Sequence, residues 1–334
     1  MDHDAPHRAP ARGLALRILQ SVVAVLAVGY LAQLLEWDQV REAMRRADPR
    51  WFASAYALQL PLVAAMVARW RVVLEALGHR VAALRLFRWY LWFFLFSCIL
   101  PGTLGGDVVR GGACSRHTGA VHAATSILTE RVCGMLSVLV LGGLGVAALS
   151  AEDRHIFGAE VAWAVRAVGV AAALGGALLL GVRGAMVRRL GPRILPLTAR
   201  WAWSRRLWTA LTEVLSLPTP ALMMALATSA AAQLLDMIAM YALACALGLS
   251  VSLPVLIVLV PVTYVVTLLP ISLGGLGIRE GVTVYFLARA GVTPSDATLL
   301  ALLVFSTKTG LGLLGGVLYL WRPDNVGDET PRPG

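Results

Sequence analysis

The stretch that decides the fold is LPGTLGGDVVRGG, residues 100–112 (the first motif), and its pattern returns as LPISLGGLGIREG at residues 269–281 (the second motif). Aligned on their prolines, the two share Leu-Pro-x-[Ser/Thr]-Leu-Gly-Gly-x-x-x-Arg-x-Gly. A proline and a glycine pair interrupt a helix and leave backbone polar groups without partners. In a membrane such backbone is tolerated only where it is buried in protein or lines a water-filled cavity. Two breaks in corresponding positions therefore predict a substrate site between the repeats of a transporter.

The composition places the chain in a membrane. Of its 334 residues 58% are hydrophobic and only 14% are charged, which is too little charge to cover a soluble protein of this length. Several apolar runs also exceed the roughly 18 residues that indicate a spanning helix. The net charge of +10 comes from arginines in short segments between these runs, a pattern that indicates membrane topology. No basic patch is interleaved with aromatic residues in a soluble domain, so no nucleic-acid partner is expected.

These features predict an all-α polytopic membrane protein with about six to eight transmembrane helices and two re-entrant or broken helices at the two motifs. Residues 1–13 are expected to form a disordered tail, residues 14–321 a single transmembrane domain, and residues 322–334 a short polar tail. Residues 36–50 have the charge pattern of an amphipathic interfacial helix. The apolar runs place the spans at 14–35, 51–73, 122–149, 161–182, 221–248 and 297–321, with a shorter apolar stretch at 254–269.

Basic residues set the predicted orientation. Residues 183–206 contain seven arginines and no acid, which is the strongest cytoplasmic signal in the chain. With the N-terminus also cytoplasmic, the number of crossings requires the first motif to enter and leave from the cytoplasmic side and the second motif from the opposite side. Two re-entrant elements of opposite orientation are what inverted repeats produce. The Ala-, Gly- and Arg-rich composition favours a bacterial source.

The motif residues offer a site for an anion. Helix N-termini carry partial positive charge, and an arginine adds a planar fork suited to phosphate. The alternative is structural, with a carboxylate that caps a helix beginning at Val108 and the motif arginine as its partner one turn on. We predict that an anionic head group binds at Asp107, Arg110, Arg279, Glu280, Gly105, Gly106, Gly274 and Gly275.

Other ionisable residues fall inside the spans, where a charge is costly and marks a functional candidate. They are Glu130, Arg131, Asp236 and Lys308. We expect Glu130 to pair with an arginine beside one of the motifs and Asp236 to pair with a residue outside its own helix, for which Lys308 is one candidate, while a proton or ion relay through such pairs is the alternative. The small residues at 142–145 and 310–316 favour close helix packing.

Sequence signatures of enzymes are absent. The chain has no G-x-S-x-G, no H-E-x-x-H and no Walker loop, so no catalytic residue, cofactor or metal is predicted. The histidines lack the spacing of metal ligands. The cysteines lie in or beside apolar segments without C-x-x-C spacing, which is typical of small core residues; they are Cys98, Cys114, Cys133 and Cys245.

On these residues the sequence resembles the family named after the transmembrane region of lysylphosphatidylglycerol synthase, a group of flippase-like membrane proteins. The resemblance covers roughly residues 14–321 and rests on Arg69-Trp70-Arg71, Leu100–Arg110, Glu130-Arg131 and Pro270–Glu280. It implies an inner-membrane protein with re-entrant segments that translocates a lipid or a lipid-linked substrate. Family members that synthesise the lipid carry a further soluble aminoacyl-transfer domain. Because only residues 322–334 follow the last span, that synthesis is not expected of this chain.

The predicted function is that of a lipid flippase, which moves a phospholipid or a polyprenyl-phosphate-linked or other glycolipid with an anionic head group. Arg110 and Arg279 would hold the phosphate, and rocking of the two repeats would give alternating access. Two alternatives stand beside it: a membrane glycosyl- or aminoacyl-transferase with Asp107 or Glu130 as base, and a non-transporting scaffold of a lipid-modifying complex. The expected partners are a membrane lipid or lipid-linked substrate and, as a candidate, a lipid-synthesis enzyme.

Overall fold

The computed structural model describes residues 37–99, 105–198, 202–267 and 277–321. Every regular element in these ranges is a helix, which confirms the all-α prediction. In chain order the helices are α1 (Trp37–Arg46), α2 (Pro49–Ala57), α3 (Gln59–Ala76), α4 (Ala83–Ile99), α5 (Gly105–Thr118), α6 (Ala120–Ala148), α7 (Arg154–Thr198), α8 (Ala202–Ser216), α9 (Thr219–Ala246), α10 (Leu253–Thr267), α11 (Ile278–Arg289) and α12 (Pro294–Trp321).

Five helical stretches within these ranges are long and apolar enough to cross a membrane. Each agrees with a predicted run, because a hydrocarbon layer of about 30 Å requires about 20 apolar residues in a helix. The predicted first span, 14–35, lies outside the described residues. The chain is a multi-pass membrane protein. Besides the shorter apolar α10, the stretches are Pro49–Ala76, Ala120–Ala148, Arg154–Ala185, Thr219–Ala246 and Pro294–Val317.

The predicted interfacial segment contains α1, a short and highly charged helix. Its side chains pair with one another, as where Arg46 Nε lies 2.7 Å from Glu42 Oε1. Such exposed pairs one turn apart add little stability and are typical of the polar side of a surface helix. Asp48 ends this segment and caps α2, since its carboxylate accepts the N–H of Arg50 at 2.8 Å.

The α2–α3 span and α9 lie side by side and run in opposite directions. At one end the Asp48 N–H donates to the Ala246 carbonyl at 2.9 Å, which joins the start of α2 to the end of α9. At the other end Val73 and Leu77, near the end of α3, pack with Leu217, just before α9. The two spans are therefore antiparallel.

The end of the bundle at which α3 finishes is marked by a histidine pair, and we call it the His79 end. His79 lies just before α4, and His122 lies in the first turn of α6, just after α5. Their ring nitrogens Nε2 and Nδ1 are 2.7 Å apart. The pair α4–α5 therefore begins and finishes at the same end of the bundle.

The opposite end, at which Asp48 meets Ala246, is the Asp48 end. Ser252, just before α10, donates to a carboxylate oxygen of Asp153 at 2.8 Å. The Arg289 side chain, in the last turn of α11, donates to the carbonyl of His155 at 2.8 Å. The pair α10–α11 therefore also begins and finishes at one end, the end opposite to that of α4–α5.

Glycines on α6 and α12 bring the two halves of the chain together, the first half being α2–α6 and the second α9–α12. Gly142 and Gly145 of α6 face α10, and a Cβ on Gly142 would lie 2.4 Å from the ring of Pro261. Gly312 and Gly315 of α12 face α4, where a Cβ would lie 2.9 and 2.7 Å from backbone atoms. The predicted close packing is confirmed at these four glycines, where it joins each half to the other, but not at Gly310, where a Cβ would meet nothing within 4 Å.

The two helices that follow the motif breaks begin differently from the prediction. α5 begins at Gly105, so Asp107 lies in its first turn and does not precede a helix beginning at Val108. Before α11, the N–H of Gly277 donates to the Glu280 carboxylate at 2.6 Å, and Gly277 has a φ of +82°, which glycine adopts without strain. A carboxylate of the chain itself therefore already occupies the positive end of α11.

Candidate functional site

A cavity of about 400 Å³ lies between the two halves, where the described residues of both motifs meet. Apolar and aromatic side chains form part of its wall, and charged side chains cluster on the rest. Of the charged residues predicted for the site, all but Glu280 line this cavity. The charged lining residues of the first half are Arg69, Asp107, Arg110, Glu130 and Arg131, and those of the second half are Asp236, Arg279 and Lys308.

Glu130 is the centre of a buried ion-pair cluster. Its Oε1 accepts from Arg69 Nε at 2.9 Å and from the Tyr90 hydroxyl, and its Oε2 accepts from Arg110 Nη1 at 2.6 Å. The side chains of Glu130 and Arg69 are 1% and 8% exposed. A buried charge is stable only when it is paired and hydrogen-bonded. Glu130 thus ties α3, α4 and α5 to α6, and the expected pairing with a motif arginine is confirmed.

Asp107 connects this cluster to the cavity. Its Oδ1 accepts from Arg110 Nε at 2.8 Å, one turn on in α5, and its Oδ2 accepts from Arg131 Nε at 2.7 Å, on α6. Arg131 is 31% exposed, whereas Asp107 is 6% exposed. Among the residues that the structure describes, the network contains two carboxylates and three arginines, and its most exposed arginine, Arg131, lines the cavity.

The guanidinium of Arg110 is enclosed by aromatic rings. Its Cζ lies 4.7, 4.8 and 5.0 Å from the ring centroids of Trp70, Tyr90 and Phe93. Cation–π attraction adds to the ion pairs at such a desolvated position. The Arg110 side chain is only 4% exposed, so it contacts protein groups. It holds the carboxylates of Asp107 and Glu130 in position at the cavity.

Arg279 occupies the same motif position as Arg110 but is open to the cavity. Its Nη2 lies 2.6 Å from Oε1 of Glu280, and its guanidinium lies 5.4 Å from the ring of Phe305. The Arg279 side chain is 31% exposed, against 2% for Glu280. The shared arginine is therefore buried in one motif and accessible to a ligand in the other.

Asp236 of α9 finds its partner on another helix, since it forms a salt bridge with Lys308 of α12, the candidate named from the sequence. The Lys308 ammonium also donates to Oε1 of Gln59 on α3, at 3.2 Å. The side chains of Lys308 and Asp236 are 22% and 36% exposed. This pair borders the open part of the cavity, in contrast to the buried Glu130 cluster.

The glycines of the first motif allow two helices to pack closely. Gly105 and Gly106 are buried in the first turn of α5. A Cβ on Gly106 would lie 2.3 Å from the carbonyl oxygen of Phe93 in α4, so any larger residue would push the two helices apart. The corresponding glycines of the second motif, Gly274 and Gly275, lie outside the described residues.

Three residues that hold the site together are missing from the predicted set: Arg69, Tyr90 and Gln59. A polar or charged residue inside an apolar run is a signal for a buried partner, and this signal could have identified Arg69 and Gln59. Tyr90 has no comparable signal, because it stands in an aromatic run at 89–96, and such runs are typical of the membrane interface.

Comparisons with known proteins identify the family of the chain. The model of the family described as "Lysylphosphatidylglycerol synthase TM region" matches residues 17–316. A UPF0104 membrane protein of Methanothermobacter thermautotrophicus is 25% identical over 292 residues, which cover 82% of this chain and 86% of that protein. The family match includes both motifs and the charged residues that line the cavity. The chain belongs to the lysylphosphatidylglycerol synthase transmembrane-region family.

Proposed function

We propose that this protein is a lipid flippase whose substrate is a phospholipid or a lipid-linked glycolipid with an anionic head group. One observation carries the proposal: a single cavity inside an otherwise apolar helical bundle is lined by charged residues of both halves, five of them basic and three acidic. Charge at membrane depth is costly and marks a substrate or ion pathway. The excess of basic groups favours an anion.

The size and chemistry of the cavity suit a head group. A volume of about 400 Å³ falls within the roughly 300–1,000 Å³ of small-molecule sites, so a head group can enter while the acyl chains remain in the hydrocarbon layer. Arg279 and Arg131 reach the cavity with partly exposed guanidinium groups.

Inverted repeats, the second part of the proposal, account for the way in which the halves pack. Alignment of the motifs pairs α3 with α9, α4 with α10, α5 with α11 and α6 with α12. α6 packs on α10 through Gly142, and their counterparts α12 and α4 pack on each other through Gly315. A two-fold axis that relates the two halves produces this pair of equivalent contacts. The antiparallel course of α3 and α9 favours an axis in the membrane plane, so rocking of the halves would open the cavity to each side in turn.

We infer that the His79 end faces the cytoplasm. Arg183, the first arginine of the basic segment 183–206, donates to the Thr219 hydroxyl at 2.6 Å at this end, and basic segments stay cytoplasmic. The α4–α5 pair then enters from the cytoplasm and the α10–α11 pair from the outside. A span at 14–35 would put the N-terminus in the cytoplasm, and the cytoplasmic membrane is the proposed location.

The transferase alternative finds less support in the site. It needs Asp107 or Glu130 as a base, but their side chains are only 6% and 1% exposed and are held by arginines. Both oxygens of each carboxylate already accept hydrogen bonds from arginine side chains, which disfavours either as a base. A scaffold, the other alternative, would have no use for a cavity lined by charge from both halves.

The test is lipid movement in liposomes that contain the purified full-length protein. Fluorescent phosphatidylglycerol, a polyprenyl phosphate and neutral diacylglycerol would be compared for the wild type, Arg279→Gln and Arg289→Gln. Arg289 is the matched control, because it is an arginine on the same helix that contacts the Asp48 end instead of the cavity. We expect the wild type to move one of the anionic lipids, Arg279→Gln to be at least about tenfold slower, and Arg289→Gln to be unaffected. A folded wild type that moves none of them would refute the proposal.

A further inference from the structure

The pair Lys308–Asp236 is placed where an incoming anion can reach it. Lys308 is the only lysine of the chain and lies midway along the 28-residue helix α12. Its ammonium contacts Asp236 on α9 and the Gln59 amide oxygen on α3. Three helices from both halves of the bundle therefore meet at one amino group, at the wall of the cavity.

This pair is held far less firmly than the other intramembrane carboxylate of the cavity, Glu130. Asp236 is 36% exposed, and Lys308 is its one salt-bridge partner among the residues that the structure describes. Glu130, by contrast, is held by two arginines and a tyrosine and is almost completely buried. Because Asp236 and Lys308 both line the cavity, another anion can approach the ammonium from there and compete with the carboxylate.

A phosphate ester is well suited to that competition. An ammonium has three donors that are not fixed in one plane, so it can turn from a carboxylate to a phosphate oxygen. A guanidinium, in contrast, binds best to one partner in a fixed bidentate geometry. Arg279 lines the same cavity with a partly exposed guanidinium. A phosphate near Lys308 therefore meets a second cation from α11.

We propose that Lys308 is the phosphate-binding group of the cavity and that Asp236 is its resident counter-ion, which the phosphate ester displaces. The inference rests on the proposed flippase function for its substrate, and it names the group that receives the head group. When the cavity is empty, the carboxylate of Asp236 forms a salt bridge with the Lys308 ammonium. Gln59 holds the amine in place while the phosphate replaces the carboxylate.

The exchange also links occupancy to motion. Asp236 and Lys308 tie α9 to α12 within the second half, and displacement of the carboxylate releases this tie only when an anion is present. Because the amine keeps its contact with Gln59 of α3, the exchange loosens the packing of α9 on α12 within the second half.

The first test is equilibrium binding of dioctanoyl-phosphatidylglycerol to the purified full-length protein by calorimetry. Lys308→Gln should weaken binding by about tenfold or more, because a charge-assisted hydrogen bond is lost. Asp236→Asn should tighten it by about threefold or more, because the competing anion is removed while an amide oxygen still faces the amine. If the pair were purely structural, both variants would bind the lipid more weakly. Weaker binding by Asp236→Asn, or unchanged binding by Lys308→Gln, would overturn the proposal.

Two comparisons control this measurement. Glu75→Gln removes a carboxylate that pairs with Arg71 at 2.8 Å on the exposed side of α3, and it should leave binding unchanged; tighter binding in this variant would assign the effect to net charge and overturn the proposal. Glycerol phosphate, which lacks acyl chains, and dioctanoylglycerol, which lacks the phosphate, separate the sources of the ligand. Binding of dioctanoylglycerol as tight as that of the phospholipid would also count against a phosphate site.

A second measurement needs no variant. Reductive methylation with ¹³C-formaldehyde labels amines, and because the chain has a single lysine, the only signals are those of Lys308 and the N-terminus. The Lys308 methyl signal should shift on addition of dioctanoyl-phosphatidylglycerol and stay unchanged with dioctanoylglycerol. A phospholipid that binds without moving this signal would refute the assignment of Lys308.

The outcome for this site can be separated from the outcome for transport. Binding that follows the expected pattern in a protein that moves no lipid in liposomes would support the phosphate site and refute the flippase. Lipid movement that both Lys308→Gln and Asp236→Asn leave unchanged would keep the flippase and refute the site.

Discussion

Arg69 on α3 and Glu130 on α6 face each other inside the bundle, with 2.9 Å between Nε and Oε1 and with both side chains buried. Lys308 on α12 and Asp236 on α9 make the corresponding contact in the second half. In each half a charge pair ties the first spanning helix to the last, but the polarity is reversed. The cation is on the first helix in one half and on the last helix in the other.

Exposure separates the two pairs as clearly as polarity does. The Arg69–Glu130 pair is closed off by Tyr90 and Arg110, whereas the Asp236–Lys308 pair opens to the cavity. A closed pair contributes mainly to the fold, because removal of one partner strands a buried charge. An open pair can be broken and formed again, which is what a substrate-dependent contact requires.

We expect Glu130→Gln to destabilise the protein strongly. The change leaves two buried arginines, Arg69 and Arg110, without their shared carboxylate, and loss of one partner of a buried pair typically costs about 3–5 kcal/mol. The measurement is chemical or thermal unfolding of the purified protein in detergent. Glu75→Gln, in an exposed pair on α3, should stay within about 0.5 kcal/mol of the wild type. Equal stability of the two variants would contradict the structural role of the cluster.

We expect Arg110→Lys to fail as a conservative change. The guanidinium reaches Asp107 with Nε and Glu130 with Nη1, and an ammonium cannot span both carboxylates or stack as a plane among the aromatic rings. The expected loss is about 2 kcal/mol or more in unfolding free energy, with a changed near-ultraviolet circular dichroism from Trp70. Arg71→Lys, on the exposed side of α3, is the control. A lysine variant as stable as the wild type would show that a positive charge at position 110 is enough to stabilise the cluster.

Much of the fold follows from the sequence because a membrane simplifies it. Spans such as Thr219–Ala246 stand out by hydropathy alone, since the hydrocarbon layer sets their length and polarity. Local chemistry also predicts helix ends: Thr293 caps α12, and its Oγ1 accepts the Asp296 N–H at 3.1 Å. The need of Asp236 for a partner on another helix was predictable too, because it has no basic residue in its own helix.

The setting of each motif arginine could not be predicted in the same way. Arg110 and Arg279 stand at the same motif position, but only the first is enclosed, by Trp70 of α3 and Tyr90 of α4. These rings come from the two helices that precede α5, so their approach to Arg110 depends on how those helices pack. The start of α5 at Gly105 was missed for a similar reason, since Gly106 is held in a helix by its close contact with α4.

We expect two glycines of α12 to respond oppositely to the same change. A Cβ on Gly315 would lie 2.7 Å from backbone atoms of Leu91, whereas a Cβ on Gly310 meets nothing within 4 Å. Gly315→Ala should therefore cost about 1–3 kcal/mol by forcing α12 away from α4, and Gly310→Ala should cost nothing, because alanine favours the helix. Thermal unfolding of both variants in one detergent gives the comparison. A Gly315→Ala variant at wild-type stability would mean that the two halves are not packed through this face.

The histidine pair at the His79 end should make stability depend on pH. His79 lies outside the spans, and both burial and the neighbouring His122 lower its pKa from the ordinary histidine value. Glu213 faces the same pair, with an oxygen 3.7 Å from His122 Nε2, and it also accepts the Thr125 hydroxyl. The cluster therefore joins the α3–α4 connection to α6 and α8.

The sign of the effect follows from the lowered pKa. Because folded His79 binds a proton less readily than unfolded His79, its contribution is complete above the ordinary pKa and is lost as the pH falls from that value to the lowered one. We expect the unfolding temperature of the wild type to fall between about pH 7.5 and pH 5.5, and to fall less in His79→Gln. His155→Gln, an exposed histidine at the Asp48 end, should keep the wild-type slope. Parallel curves for the wild type and His79→Gln would assign the pH response to other groups.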